Sequence, residues 1–222
     1  MSLDIERRLQ ETRQFWDNEA ATFDNEPDHG LRDPVVREVW RDLLVKSLPS
    51  PPASVLDIGC GTGSVSLLLA ELAYEVTGVD LSEAMIACAK TKAEAAGYSV
   101  AFRVMDAFNP GFSPQQFDVI VCRHLLWALP EPALALQRWS RMLVPGGRLV
   151  LIEGCWNTGA GLPSRQIIEA LPSTLTMRKF ENLSGHLSLW GGEVTDERYI
   201  VIADQSAHQD IIPSRSNRVS SV

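Results

Sequence analysis

The sequence predicts an α/β protein whose core is a doubly wound, mostly parallel sheet. Three observations carry this expectation. Short apolar runs alternate with helical segments from Ala53 to Glu153. The runs are apolar throughout rather than alternating with polar residues, as in strands buried on both faces of a parallel sheet. The first run, SVLDI, leads into the glycine-rich turn GCGTGS, where an open α/β sheet holds its ligands.

The elements follow in order. Residues 3–18 form a helix with Ile5, Leu9, Thr12 and Trp16 near one face, followed by the polar loop NEPDHGLRD. In RDPVVREVWRDLLVKSL, Asp33 caps a second helix and Pro34 suits its first position. Val36, Val39, Trp40 and Leu43 make its apolar stripe, and PSPP at 49–52 ends the segment. SVLDI, YEVTGVD, SVAFRVM, FDVIVCR and GGRLVLIE then read as five strands. Between them lie the helices SVSLLLAELA, SEAMIACAKTKAEAAG and PALALQRWSRML, the second starting at Ser82 and stopped by Gly97. After Glu153, a helix around 164–171 and the strands STLTMRKF and ERYIVIA close the sheet. We expect one domain over residues 1–205. Residues 1–50 form a helical lid, 53–153 the ligand-binding core, and 154–205 the part that completes sheet and pocket. Residues 206–222 read as a flexible tail.

The composition excludes several function classes. No apolar run has the ~20 residues needed to span a bilayer, and the charged start MSLDIERRLQETRQ is no secretory signal. A cytoplasmic protein is expected. The net charge is −8, without a basic cluster to track phosphates, so nucleic acid is not an expected partner. Cys60, Cys88, Cys122 and Cys155 are widely spaced, which argues against disulfides and zinc. His29, His124, His186 and His208 are scattered, and no metal site is expected.

Gly59, Gly61 and Gly63 stand at every second position, a spacing that lets backbone approach a ligand closely. A dinucleotide fold would want G-x-G-x-x-G, which puts its third small residue at Ser64. Asp57, two residues before the first glycine, suits a cationic ligand better than a diphosphate. Asp80 ends the second strand, where a carboxylate accepts ribose hydroxyls in either ligand family. Asp106 ends the third, within reach of an adenine amine.

The D-x-G-x-G-x-G run, one acid per strand end, FWDNEAATFD before the core and LVPGGRLVL after it together resemble the class I S-adenosylmethionine-dependent methyltransferases. The resemblance covers about residues 10–203 and is nearest the small-molecule branch related to quinone methyltransferases. It implies a seven-stranded Rossmann-like sheet of order 3-2-1-4-5-7-6, with the last strand antiparallel. It also implies S-adenosylmethionine as cofactor and S-adenosylhomocysteine as product. Gly59, Gly61 and Gly63 would lie against the methionine part, with Asp57 at the loop. Asp80 would hold the ribose, Leu81 and Met85 would flank the adenine, and Asp106 and Ala107 would face its edge. Cys122 and Arg123 would lie near the methionine amine or carboxylate. Trp16 and Phe15 would close the cofactor from the first helix.

The acceptor side falls to the ends of the fourth and fifth strands. His124 follows strand four; it reads as a base for a hydroxyl or ammonium acceptor, or as a histidine packing a loop. His29 lies in the lid loop, as a substrate contact or a solvated residue. Glu153 and Trp156 are expected to point toward the acceptor, and Trp127, Trp156 and Trp190 to form an aromatic wall. The expected activity is methyl transfer to an N or O atom of a small molecule, such as a natural-product intermediate or short peptide, by a monomer or homodimer. A quinone or lipid C- or O-methyltransferase, a nicotinamide-dependent oxidoreductase and a non-catalytic S-adenosylmethionine-binding protein are the alternatives.

Overall fold

The computed structural model describes residues 3–207, with side chains from Glu6 onward. The expected tail lies, beyond Ala207, outside the described residues. The N-terminal part contains α1 (Leu3–Glu19), a 3-10 turn (Phe23–Asn25), α2 (Pro27–Gly30) and α3 (Pro34–Ser47). Next come β1 (Ser54–Ile58), α4 (Ser64–Glu71), β2 (Glu75–Asp80), α5 (Glu83–Ala96), β3 (Ala101–Val104) and β4 (Phe117–Arg123). A 3-10 turn (Leu126–Ala128), α6 (Pro132–Met142), β5 (Leu143–Cys155), α7 (Ser164–Ala170), β6 (Leu175–Asn182), α8 (Leu187–Trp190) and β7 (Glu197–Gln205) complete the described chain.

The seven strands form one sheet of order β3-β2-β1-β4-β5-β7-β6. β1 to β5 pair in parallel, whereas β7 runs antiparallel to both β5 and β6. The order and the reversed last strand match the expectation. Along the central strands the side chains divide by parity between two core layers. Val55, Val119, Val121, Val150, Ile152, Ile200 and Ile202 pack on one face with Trp40 and Leu44 of α3 and Leu68 of α4. Leu56, Ile58, Ile120, Leu149, Leu151 and Val201 pack on the other with Leu136 and Trp139 of α6. Both faces are covered, which is why the strands read as unbroken apolar runs.

The local signals act where the sequence places them. The Asp33 side chain accepts from the amides of Val35 and Val36, and Ser82 accepts from Met85. Gly97 ends α5 at φ 72°. The segment 25–33 departs from its reading as a polar loop. Pro27 starts α2, Leu31 closes it in the left-handed conformation, and Asp28 and Leu31 are buried. A single helical turn offers no periodicity to detect. β5 begins earlier than expected, and the pairing slips between Phe117 and Val119 as it absorbs the VPGG turn.

Candidate cofactor and acceptor site

Parallel pairing brings the carboxyl ends of β1 to β5 to one edge of the sheet. There the glycine turn is pinned by β2, whose Val79 carbonyl accepts from the amides of Gly59 (2.8 Å) and Cys60 (2.9 Å). Gly59, Gly61 and Gly63 take φ values of 74°, 53° and 80°, a region L side chains rarely enter. Space is short as well. A Cβ on Gly59 would meet Leu125 at 2.5 Å, and one on Gly61 would meet the Phe23 ring at 3.3 Å. One Asp80 oxygen accepts from the Gly61 amide and the other from Ser82, both at 2.9 Å. Burial raises the pKa of Asp80. Asp106 sits at the end of β3 and accepts from the Phe108 amide, while the buried Ala107 gives its carbonyl to Trp139. Leu81 follows β2, and Met85 is buried in the first turn of α5.

Two predicted residues face inward rather than into the groove. Asp57 is 1% exposed, accepts from the Ser66 hydroxyl at 2.5 Å, and is pushed up to about 6 by burial. It ties the end of β1 to the first turn of α4. Cys122 is fully buried and its thiol points to Glu153 Oε1 at 3.7 Å. Strand parity sends both side chains into the core.

The N-terminal elements lie over this edge. Phe23 meets Trp16 edge to face at 6.1 Å; Phe15 touches Trp16 but stays 56% exposed. Two polar latches hold the cover down. Asp17 accepts from the Ser82 hydroxyl and the Ala84 amide at the start of α5. Lys92 of α5 reaches Asp24 at 2.9 Å and the hydroxyls of Thr62 and Ser64 at 3.0 Å. The sequence reading missed Lys92, because a lysine on a helix reads as a solvated residue. Lys92→Met is expected to leave the core folded and open the cover. Losing a charge-assisted contact of about 1.5–3 kcal/mol should speed amide exchange in residues 20–31 by at least about tenfold. Hydrogen–deuterium exchange reads this directly, with the amides of β4 as the unchanged reference.

Arg123, half of the expected methionine contact, turns to the cover and donates to the backbone carbonyls of Asp28 and His29. His124 follows in the left-handed conformation at φ 55°. Its ring lies 5.0 Å from Trp156 and 6.1 Å from both Trp190 and His29. Trp127 stands 6.1 Å from Trp156 and donates to the His124 carbonyl. The three rings expected to form a wall lie near His124, but Trp190 is buried in the core against Trp40 and donates to the Leu183 carbonyl. His29 stacks on Phe23 at 4.3 Å. Burial lowers the pKa of both imidazoles, His124 most strongly, and the Arg123 guanidinium adds to the effect. Arg198 of β7, which the sequence reading overlooked, lies over the Trp156 and Trp190 rings.

Glu153, expected to face the acceptor, turns into the protein interior. It is fully buried, and its Oε1 accepts from the amides of Leu125 (3.0 Å) and Leu126 (2.8 Å). It ties the turn after β4, and so the backbone that carries His124, to β5. Burial pushes it up to about 7.

A family model described as a methyltransferase domain matches residues 56–151, the span of the strand ends just described. The matched stretch is similar to class I S-adenosylmethionine-dependent methyltransferases. Relatives agree. Over 145 residues the chain is 35% identical to "Ubiquinone biosynthesis O-methyltransferase" of Pseudomonas aeruginosa (strain LESB58); the match covers 63% of this chain and 62% of that protein. Two solved structures share the fold. The geranyl diphosphate C-methyltransferase of Streptomyces coelicolor A3(2), bound to geranyl diphosphate and S-adenosyl-L-homocysteine, superposes with TM-score 0.69 at 18% identity. It covers 89% of this chain and 98% of that one. The [4+2]-cyclase SpnF superposes with TM-score 0.68 at 23% identity, over 77% and 81%. The family match ends at Leu151, so Trp156, Trp190 and Arg198 lie beyond it.

Proposed function

We propose that this protein transfers a methyl group from S-adenosylmethionine to an N or O atom of a small molecule, such as a natural-product intermediate or short peptide. The observation behind the proposal is the tie between the Gly61 amide and Asp80, with three positive-φ glycines beside it. The groove has no Cβ where a methionine chain would pass, and Asp80 retains lone pairs for ribose hydroxyls. These residues fit the cofactor once the Phe23 ring and Leu125 side chain yield. Bound there, S-adenosylmethionine supplies an electrophilic methyl on a sulfonium sulfur.

The chain's own residues do the rest. Trp16, Phe23 and α2 exclude water, and alignment of the reactants contributes as much as about 7–11 kcal/mol. Asp106, Leu81, Met85 and Ala107 bound the adenine side. A hydroxyl acceptor must shed a proton, and a neutral His124 has the ring nitrogen to receive it. Trp127 and Trp156 favour a flat or alkyl-rich acceptor, with His29 closing its lid side. No described helix is long and apolar enough to cross a membrane; we read the protein as cytoplasmic, a monomer or homodimer.

The relatives favour a second reading, a quinone or lipid C- or O-methyltransferase acting through the same groove. The cyclase neighbour is a reminder that fold alone does not fix the reaction. Thermal unfolding tests the cofactor. S-adenosylhomocysteine at about 100 times its Kd should add about 2.7 kcal/mol of stability, and NAD should add none. A rise with NAD and none with S-adenosylhomocysteine would establish the oxidoreductase reading instead.

A further inference from the structure

α2 carries the neighbours Asp28 and His29 onto His124, so three potential ligands meet from two distant parts of the chain. One ligand-capable atom of each lies within 4.8 Å of the other two. Asp28 Oδ2 is 3.9 Å from His124 Nδ1. His29 Nδ1 and His124 Nε2 are both buried, with no hydrogen-bond partner among the described residues. Buried ring nitrogens without partners are costly and call for an explanation. The stacking of His29 on Phe23 and of His124 on Trp190 satisfies the faces of the rings. It does nothing for nitrogens whose lone pairs lie in the ring plane.

The charges around the group leave Asp28 available. Arg123 binds the carbonyl of Asp28, not its carboxylate. Arg198 Nη1 lies 3.8 Å from Asp28 Oδ2, but its Nε bonds Asp196 at 2.6 Å. Both guanidiniums oppose a further cation, and the carboxylates of Asp28 and Asp196 offset them. Burial lowers the pKa of both imidazoles, which favours the neutral form that ligates.

We propose that Asp28, His29 and His124 form a site for one divalent transition-metal ion of the zinc or cobalt class. Two imidazoles and one carboxylate suit these ions, and three protein ligands leave a coordination position open. Tetrahedral bonds of about 2.0–2.1 Å put ligand atoms about 3.4 Å apart. From 4.8 Å, each side chain moves inward by less than about 1 Å.

The role we give the ion rests on the reading of this cleft as the acceptor side of a methyltransferase. The open position takes the acceptor hydroxyl oxygen and lowers its pKa, so its proton passes to solvent before the cover closes. That oxygen forms the new O–CH₃ bond as the S–CH₃ bond breaks, and the electron pair stays on sulfur. His124 then serves as a ligand, not as the base.

The test uses the full chain, stripped with a chelator and titrated with Co(II). The wild type should bind one Co(II) per chain, with visible d–d absorption. His29→Gln and Asp28→Asn should each lose it, whereas His186→Gln, at an exposed histidine that faces Glu181, should keep it. His124→Cys retains a ligand and should add a thiolate charge-transfer band, a signature that a purely structural role cannot produce. S-adenosylhomocysteine affinity, measured alongside by calorimetry, reports whether each variant is folded. A wild type without Co(II), or variants that bind it unchanged, would overturn the metal site. If S-adenosylhomocysteine still binds that wild type, the methyltransferase reading stands without the metal. A Co(II)-binding protein that fails to bind S-adenosylhomocysteine keeps the site and removes the reaction assigned to it.

Discussion

Gly61→Val is expected to weaken S-adenosylhomocysteine binding by at least about 100-fold, roughly 3 kcal/mol. Two costs combine. The backbone at Gly61 has φ 53°, which a β-branched residue resists. The new side chain would also point toward the Phe23 ring, 3.3 Å from its Cβ, and into the groove proposed for the methionine chain. The Gly61 amide is held by Asp80, so a twist at this position also disturbs the carboxylate proposed for the ribose. Gly97 separates the two costs. It has φ 72°, but a Cβ there meets nothing within 4 Å. Gly97→Val should lose stability through backbone strain and bind S-adenosylhomocysteine as the wild type does. Calorimetry on both variants reads the difference. Unchanged affinity in a folded Gly61→Val would remove the cofactor from this turn.

The glycine turn was legible in the sequence because its geometry is local. Each glycine marks a backbone angle, and Asp33, Ser82 and Gly97 mark helix ends by chemistry completed within a few residues. The strand order was legible only through family resemblance. An apolar parallel strand shows that both its faces are buried, but not which strand lies beside it. The acceptor side was harder. Asp28 and His29 sit in a single helical turn that reads as a solvated loop, and only the folded chain brings them to His124. Lys92 and Arg198 act across long separations, which no spacing encodes. Glu153 was seen as important but aimed wrongly. Its position in β5 fixes the direction of its side chain, and only the path of the chain after β4 shows that the amides of Leu125 and Leu126 meet it there.

Glu153→Ala is expected to be among the most destabilising substitutions in the core. It leaves the buried Leu126 amide and the part-buried Leu125 amide without an acceptor, at as much as about 1–3 kcal/mol each, and opens a cavity beside β4 and β5. Glu153→Gln isolates the charge. It keeps an acceptor for both amides but places an amide NH₂ where Oε2 now has no partner. That substitution carries a pH-independent cost of about 1–3 kcal/mol. The wild-type carboxyl, by contrast, has a folded pKa of about 7 against an ordinary 4.5. Between these values the folded state binds more proton than the unfolded state, so this group lowers stability as pH rises. The loss begins near pH 4.5, is complete above pH 7, and amounts to about 3 kcal/mol. Asp57, raised from 3.8 to about 6, acts in the same direction between those values. His29 and His124 act oppositely. Their folded pKa values lie below 6.5, so their protonation on unfolding lowers stability as pH falls below that value. The wild-type profile alone therefore mixes opposing slopes, whereas the difference between Glu153→Gln and wild type cancels all but Glu153. Urea denaturation at pH 4.5 and pH 7.5 should find the variant less stable at the lower pH and equal or more stable at the higher. A difference that stays constant between the two would mean that Glu153 is ionised in the folded protein throughout, and that the burial of its charge is compensated by something other than the two amides.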